Sequence, residues 1–191
     1  PVVALRAPSV RSKVWTYEVL LKDGTVVAAD VVVLATPAYI SAEFLRPINL
    51  TVSKLLEGIP YTSTATVALA YGSRDLGPAV RGFGFIVPRA ERRDLLAATW
   101  TSLKWPHRAP PSQTLVRCYI GGAGREDILK ADDEAIVRRV REDLRHIAGI
   151  TAEPTYVEVN RWERGMPQYV LGHRNRLDQI QAALSNFQGL Y

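Results

Sequence analysis

Thr62-Ser63-Thr64-Ala65-Thr66-Val67-Ala68-Leu69-Ala70-Tyr71 is the stretch on which the reading of the fold depends. It reads as a strand. Three more follow at Gly84–Val87, Leu95–Ser102 and Thr114–Ile120, separated by Gly, Pro and charged turns. Asp132 or Asp133 then caps a helix reaching Ile147, with an apolar stripe of Ile136, Val140, Leu144 and Ile147. Thr155–Trp162 reads as another strand, and Arg174–Phe187 as a second amphipathic helix showing Leu177, Ile180, Leu184 and Phe187. The expectation is one sheet over 62–120 and 155–162 with both helices packed on it.

Upstream the pattern changes. Val2–Leu5 is a short apolar segment, and Lys13–Leu21 reads as a strand that Asp23-Gly24 turns into a hairpin with Thr25–Ala28. Val31-Val32-Val33-Leu34-Ala35 is fully apolar and β-branched, as in a strand buried on both faces. Thr36-Pro37 stops it, a short helix follows over Ala38–Leu45, and Thr51 is placed as the N-cap of another to Glu57. The fold class is therefore α+β: a mixed, largely antiparallel sheet backed by helices, preceded by a β-hairpin and a buried strand.

Composition narrows the function. The 191 residues are 47% apolar and 23% charged, which excludes disorder, coiled coil and collagen-like chains. No apolar run approaches the ~18–20 residues of a spanning helix. The lone Cys118 excludes an internal disulfide and a cysteine zinc site and points to a reducing compartment. Both chain ends read as cuts through a longer protein.

The net charge of +5 is unevenly spread. Residues 74–117 hold 8 basic side chains (Arg74, Arg81, Arg89, Arg92, Arg93, Lys104, Arg108 and Arg117) against 3 acidic ones, whereas the flanking segments are nearly balanced. Such a stretch suits phosphates, carboxylates or an anionic membrane surface, and equally a solvated surface.

Familiar catalytic constellations are absent. His107, His146 and His173 are scattered, no metal-ligand spacing occurs, and Cys118 alternates with Val116 and Ile120 as a core residue does. Gly121-Gly122-Ala123-Gly124 lacks the following helix and Lys-Ser/Thr of a phosphate loop and reads as a turn. Trp162 shares the side of its strand with Glu158 and Asn160, where it lines a ligand cavity or packs under a loop. Trp100 and Trp105 flank Lys104, an arrangement that suits a flat acidic ligand and also an ordinary core edge.

Taken together, several segments resemble one family. Ala29-Asp30-Val31-Val32-Val33-Leu34-Ala35-Thr36-Pro37, Thr99-Trp100-Thr101 with Lys104-Trp105-Pro106, Tyr119-Ile120-Gly121-Gly122, and Arg161-Trp162 with Met166-Pro167-Gln168-Tyr169 and Gly172-His173 occur in this order. The set is similar to the flavin-dependent porphyrinogen oxidases, which act on protoporphyrinogen or coproporphyrinogen, within the amine-oxidase-like flavoproteins. The strand ending in Ala-Thr-Pro is shared widely among flavin amine oxidases. The Pro-Gln-Tyr and Gly-His run after a tryptophan is more specific to the porphyrinogen branch.

The resemblance implies a middle-to-late slice of a longer protein, with 1–41 part of an FAD-binding domain, 42–187 a substrate-binding domain and 188–191 a returning strand. It implies flavin contacts at Val2, near the adenine end, and at Trp162, near the isoalloxazine, with Thr36 and Pro37 on a loop close by. The implied chemistry is dehydrogenation of a porphyrinogen by FAD with oxygen as acceptor, in heme biosynthesis. No protein residue is then needed as a catalyst, because the cofactor carries the redox step. Apolar walls are expected from Leu95, Leu96, Trp100, Ile86 and Met166, and propionate-binding cations from Arg81, Arg89 or Lys104, with Arg89 and Lys104 first. FAD belongs to the parent protein and is not expected on this chain alone. The parent is expected in the cytoplasm, with peripheral membrane association or ferrochelatase contact compatible, and no nucleic-acid partner. Another flavin amine oxidase-like oxidoreductase and a stand-alone anion-binding module remain as alternatives.

Overall fold

The computed structural model describes residues 1–8, 16–76, 80 and 82–191. The chain forms two units, one from Pro1–Pro60 with Pro167–Tyr191 and one from Tyr61–Met166. These limits differ from the expected 1–41, 42–187 and 188–191, because residues 42–60 and 167–187 pack with the N-terminal segment.

The first unit holds an antiparallel sheet of β1 (Val2–Arg6), β2 (Tyr17–Leu21) and β3 (Val26–Ala29), in that order. The start of the expected strand, residues 13–15, lies outside the described residues. Asp23-Gly24 makes the hairpin turn, with Asp23 Oδ1 accepting from Thr25 N at 3.0 Å. Three helices join the sheet: α1 (Ala38–Leu45), α2 (Leu50–Glu57) and α5 (His173–Leu184). The cap of α2 is Asn49, whose side chain accepts from Val52 N at 3.1 Å, and Thr51 lies inside the helix. Leu5, Tyr17, Leu45, Val52, Ile180 and Leu190 form the core.

Two expectations fail in this unit. Val31–Ala35 is not a strand buried on both faces: Val31 is 59% and Val33 69% exposed, and only Val32 forms a parallel bridge, to Leu190. Such a run is buried only when layers pack on both faces of its sheet, and here Val32 and Leu34 pack against the core while Val31 and Val33 stand on the other, exposed face. Gly189 permits the bridge to Leu190, since a Cβ there would lie 2.3 Å from Asp30 O. The helix expected on the larger sheet over 174–187 belongs to this unit, where it packs against α2. Helical periodicity shows that a helix has an apolar side; it does not name the partner.

The second unit is a five-stranded sheet in the order β5-β6-β7-β4-β8. Its strands are β4 (Tyr61–Gly72), β5 (Gly84–Ile86), β6 (Leu95–Trp100), β7 (Gln113–Gly121) and β8 (Tyr156–Pro167). The pairs β4–β7, β6–β7 and β5–β6 are antiparallel. A short helix, α3 (Thr101–Lys104), ends β6 earlier than expected.

Helix α4 (Asp133–Ala148) covers one face, capped by Asp132 and closed by left-handed Gly149. Ile136, Val140 and Leu144 are fully buried there, while Ile147 is 40% exposed. Asp143 ties the helix to the sheet. Its buried carboxylate accepts from Leu95 N at 2.9 Å and lies 3.5 Å from Arg93 Nη1.

Candidate functional site

The two faces of the five-stranded sheet differ because successive residues of a strand point to opposite sides. Ala65, Val67, Leu69, Leu95, Val116, Cys118 and Ile120 face α4 and are buried. Burial raises the Cys118 thiol well above its ordinary range, so it is an inert core group.

The register lays out the opposite face. Ile86 pairs with Ala97, Ala97 with Tyr119 and Tyr119 with Thr66, so these four stand in one row across the sheet. Trp162 extends the row from β8, its Nε1–H donating to Thr66 Oγ1 at 3.2 Å. The next row runs Gly84, Thr99, Arg117 and Ala68. Gly84 has φ +142°, and a Cβ there would lie 2.1 Å from Ala98 O, so no side chain can stand at that position. This second row is a floor of small residues from which Arg117 alone rises as a large side chain.

Apolar groups stand at both edges. Phe83 and Ile86, at 64% and 83% exposure, flank one edge; Trp162 and Met166, at 55% and 47%, belong to the other. Exposed apolar side chains around a polar centre mark a binding surface. On β8, the Tyr156 hydroxyl and Asn160 Nδ2 both donate to Glu158, holding its carboxyl below the usual range.

The expected site residues divide by place. In the first unit, Val2 and Thr36 line an apolar hollow of about 560 Å³ together with Leu5, Val33, Leu34 and Phe44. Thr36 Oγ1 also hydrogen-bonds Ser41 Oγ at 2.8 Å, and Pro37 opens α1 beside it. In the second unit, Trp162 and Ile86 lie on the open face. Leu96 sits in a β-bulge and is half-buried, next to Gly122. Trp100 is buried in the covered core, edge-on to Phe85 with ring centroids 5.7 Å apart, and Leu95 is buried with it. The alternation that exposes Thr99 turns Trp100 away from the open face, and the bulge at Leu96 does the same for Leu95.

The expected cations are separated. Arg89 donates to Ala123 O at 3.1 Å, by the glycine turn. Lys104 belongs to α3 beyond the far end of β6, its Nζ 5.8 Å from the Trp105 ring centre. Arg81 lies outside the described residues. Arg117, Tyr119, Thr66 and Thr99 were not among the expected site residues. The signal for Arg117 and Tyr119 lay in the alternation of Val116, Cys118 and Ile120, which assigns the intervening residues to the other face. Among the described residues no cluster of His, Cys, Asp and Glu can hold a metal, and no helix is long and apolar enough to cross a membrane. His146 is exposed, and the His173 ring stacks on Tyr169 with centroids 4.4 Å apart.

Comparison with known proteins defines the class. The chain belongs to the flavin-containing amine oxidoreductase family, whose family model matches residues 1–191. Within that class it is similar to the porphyrinogen oxidases. It is 36% identical over 176 residues to coproporphyrinogen III oxidase of Bacillus subtilis (strain 168), covering 92% of this chain and 37% of that protein. It is 30% identical over 187 residues to chloroplastic protoporphyrinogen oxidase 1 of Arabidopsis thaliana, covering 92% and 34%. A solved structure from Exiguobacterium sp. 255-15, provisionally named a protoporphyrinogen oxidase, superposes with a TM-score of 0.76 at 30% identity, over 100% of this chain and 40% of that one. The chain thus spans little more than a third of the length of these curated relatives.

Proposed function

We propose that this chain is part of an FAD-dependent oxidase that dehydrogenates a porphyrinogen, coproporphyrinogen III or protoporphyrinogen IX, to the porphyrin. The observation that carries the reading is the 36% identity to a coproporphyrinogen III oxidase across 92% of the chain. The open sheet face supports it: a flat, apolar-edged surface with one central cation suits a flat macrocycle bearing carboxylates. When bound, the flavin supplies the hydride acceptor, and oxygen takes the electrons from it.

The residues present fit part of that cofactor. The hollow lined by Val2 and Thr36 is apolar and lies beside β1, which among the described residues is an edge strand, so its outer backbone groups suit the adenine end of a nucleotide. Its lining contains no cation for a pyrophosphate. Trp162 is assigned the aromatic contact at the β8 edge. Each two-electron step would pass a hydride to the flavin and release a proton to solvent, and no residue of this chain is assigned as an acid or base. The buried, unpaired Cys118 suits a reducing, cytoplasmic setting.

The test is turnover by the whole protein that carries this chain. Coproporphyrinogen III should be converted to its fluorescent porphyrin with consumption of oxygen. A flavoprotein that leaves porphyrinogens untouched and oxidises primary amines instead would overturn the reading.

A further inference from the structure

The geometry points to Arg117 as the residue that recognises a carboxylate of the substrate and favours the more highly carboxylated porphyrinogen. The inference rests on the porphyrinogen reading above and adds to it the residue that sets preference.

Arg117 stands at the centre of the open face, paired with Thr99 on one side and Ala68 on the other. The open-face residues of the three central strands β4, β6 and β7 are otherwise neutral, including Thr62, Thr64, Thr66, Ala68, Ala97, Thr99 and Tyr119. Its guanidinium makes no hydrogen bond or ion pair among the described residues. Arg93, Arg139 and Arg161 behave differently: each pairs with an aspartate, respectively Asp143, Asp94 and Asp133. The small floor around Arg117 leaves its planar donor fork free to meet a carboxylate side-on, the geometry in which arginine binds most selectively.

The span of the face and the placing of carboxylates on the ligand turn this into preference. Its apolar edges lie four strand spacings apart, about 19 Å, so a macrocycle lying flat between Ile86 and Trp162 passes over Arg117. A tetracarboxylate carries a propionate on every ring and presents one to Arg117 in any in-plane orientation. A dicarboxylate carries them on two adjacent rings only, so some orientations leave the guanidinium facing apolar substituents.

The test compares equilibrium binding of coproporphyrin III, a tetracarboxylate, and mesoporphyrin IX, a dicarboxylate, to the whole flavoprotein that carries this chain. Arg117→Gln should weaken coproporphyrin III by about tenfold to a hundredfold, the range of one charged hydrogen-bonding contact. Mesoporphyrin IX should weaken less, and added salt should narrow the gap. Arg138→Gln, on the exposed side of α4, should change neither. Should Arg117→Gln fail to fold, Arg117→Lys, which keeps the charge and loses the fork, must still weaken coproporphyrin III the more. Equal effects on both porphyrins, or no effect on either, would overturn the assignment of Arg117 while wild-type turnover left the porphyrinogen reading standing. Wild-type protein that neither binds these porphyrins nor oxidises porphyrinogens would remove both.

Discussion

The covered and open faces of the five-stranded sheet are made by the same strands, yet they follow opposite rules. On one side Val67, Leu69, Val116 and Ile120 fill the space beneath α4. On the other, residues one step away in each strand are Thr66, Ala68, Arg117 and Tyr119, small or polar with a single charge. The covered face is built for volume, where each missing methylene leaves a cavity. The open face is built for flatness and charge, where side chains touch little of the protein. Substitutions should therefore change stability on one face and ligand binding on the other.

The largest effect is expected at Leu144, which is fully buried against the covered face. Leu144→Ala should cost about 2–5 kcal/mol, measured by denaturant unfolding. A loss below about 0.5 kcal/mol, the range of ordinary surface changes, would mean that α4 does not pack as described. Asp143→Ala comes next. It removes the acceptor of Leu95 N and the partner of Arg93, and should cost about 1–3 kcal/mol. Asp143→Asn, which keeps an acceptor oxygen, should restore part of that.

Trp162→Ala should invert the pattern. At 55% exposure and with one hydrogen bond to Thr66, the side chain should contribute about 0.5 kcal/mol or less to folding. Porphyrinogen turnover by the whole protein should nevertheless fall at least about tenfold, as loss of a ~1.4 kcal/mol contact would produce. Normal turnover with normal flavin content would show that the open face ends short of β8.

The smallest effect concerns alkaline pH. Burial raises the Cys118 thiol above its ordinary value of 9.0 and the Tyr71 phenol above 10.0. Near and above those values the unfolded chain releases protons that the folded chain keeps, so stability is full below pH 9 and declines as pH rises. Cys118→Ala should flatten the start of this decline in thermal melts recorded from pH 8 to 11. An unchanged slope would assign the decline to other groups.

Much of the second unit was legible in advance. Strands that alternate over a half-buried sheet declare themselves, as do the Asp132 cap and the stripe of Ile136, Val140 and Leu144, because those patterns arise within a few residues of chain. What misled were partners distant in sequence. Leu177, Ile180 and Leu184 describe a helix side that any apolar surface can receive, and α2 received it. Val31–Ala35 describes a strand that needs a packed layer on each face, and the described residues supply one on the side of Val32 and Leu34. Trp100, expected as a ligand wall beside Lys104, belongs to the core because its register places it opposite Val116 on the covered face.

Sequence alone therefore determined the α+β class, the strands of the main sheet, the helix that covers it and the likeness to porphyrinogen oxidases. These rest on local periodicity and on ordered motifs, both of which survive without knowledge of distance. Tertiary structure decided which residues form a site. Only pairing across β5, β6, β7 and β4 brings Ile86, Ala97, Tyr119 and Thr66 into one row and leaves Arg117 standing in the next. A charge within a basic stretch acquires a role from the face it occupies, and that face is set by strand register, which moves every side chain across the sheet when it shifts by one residue.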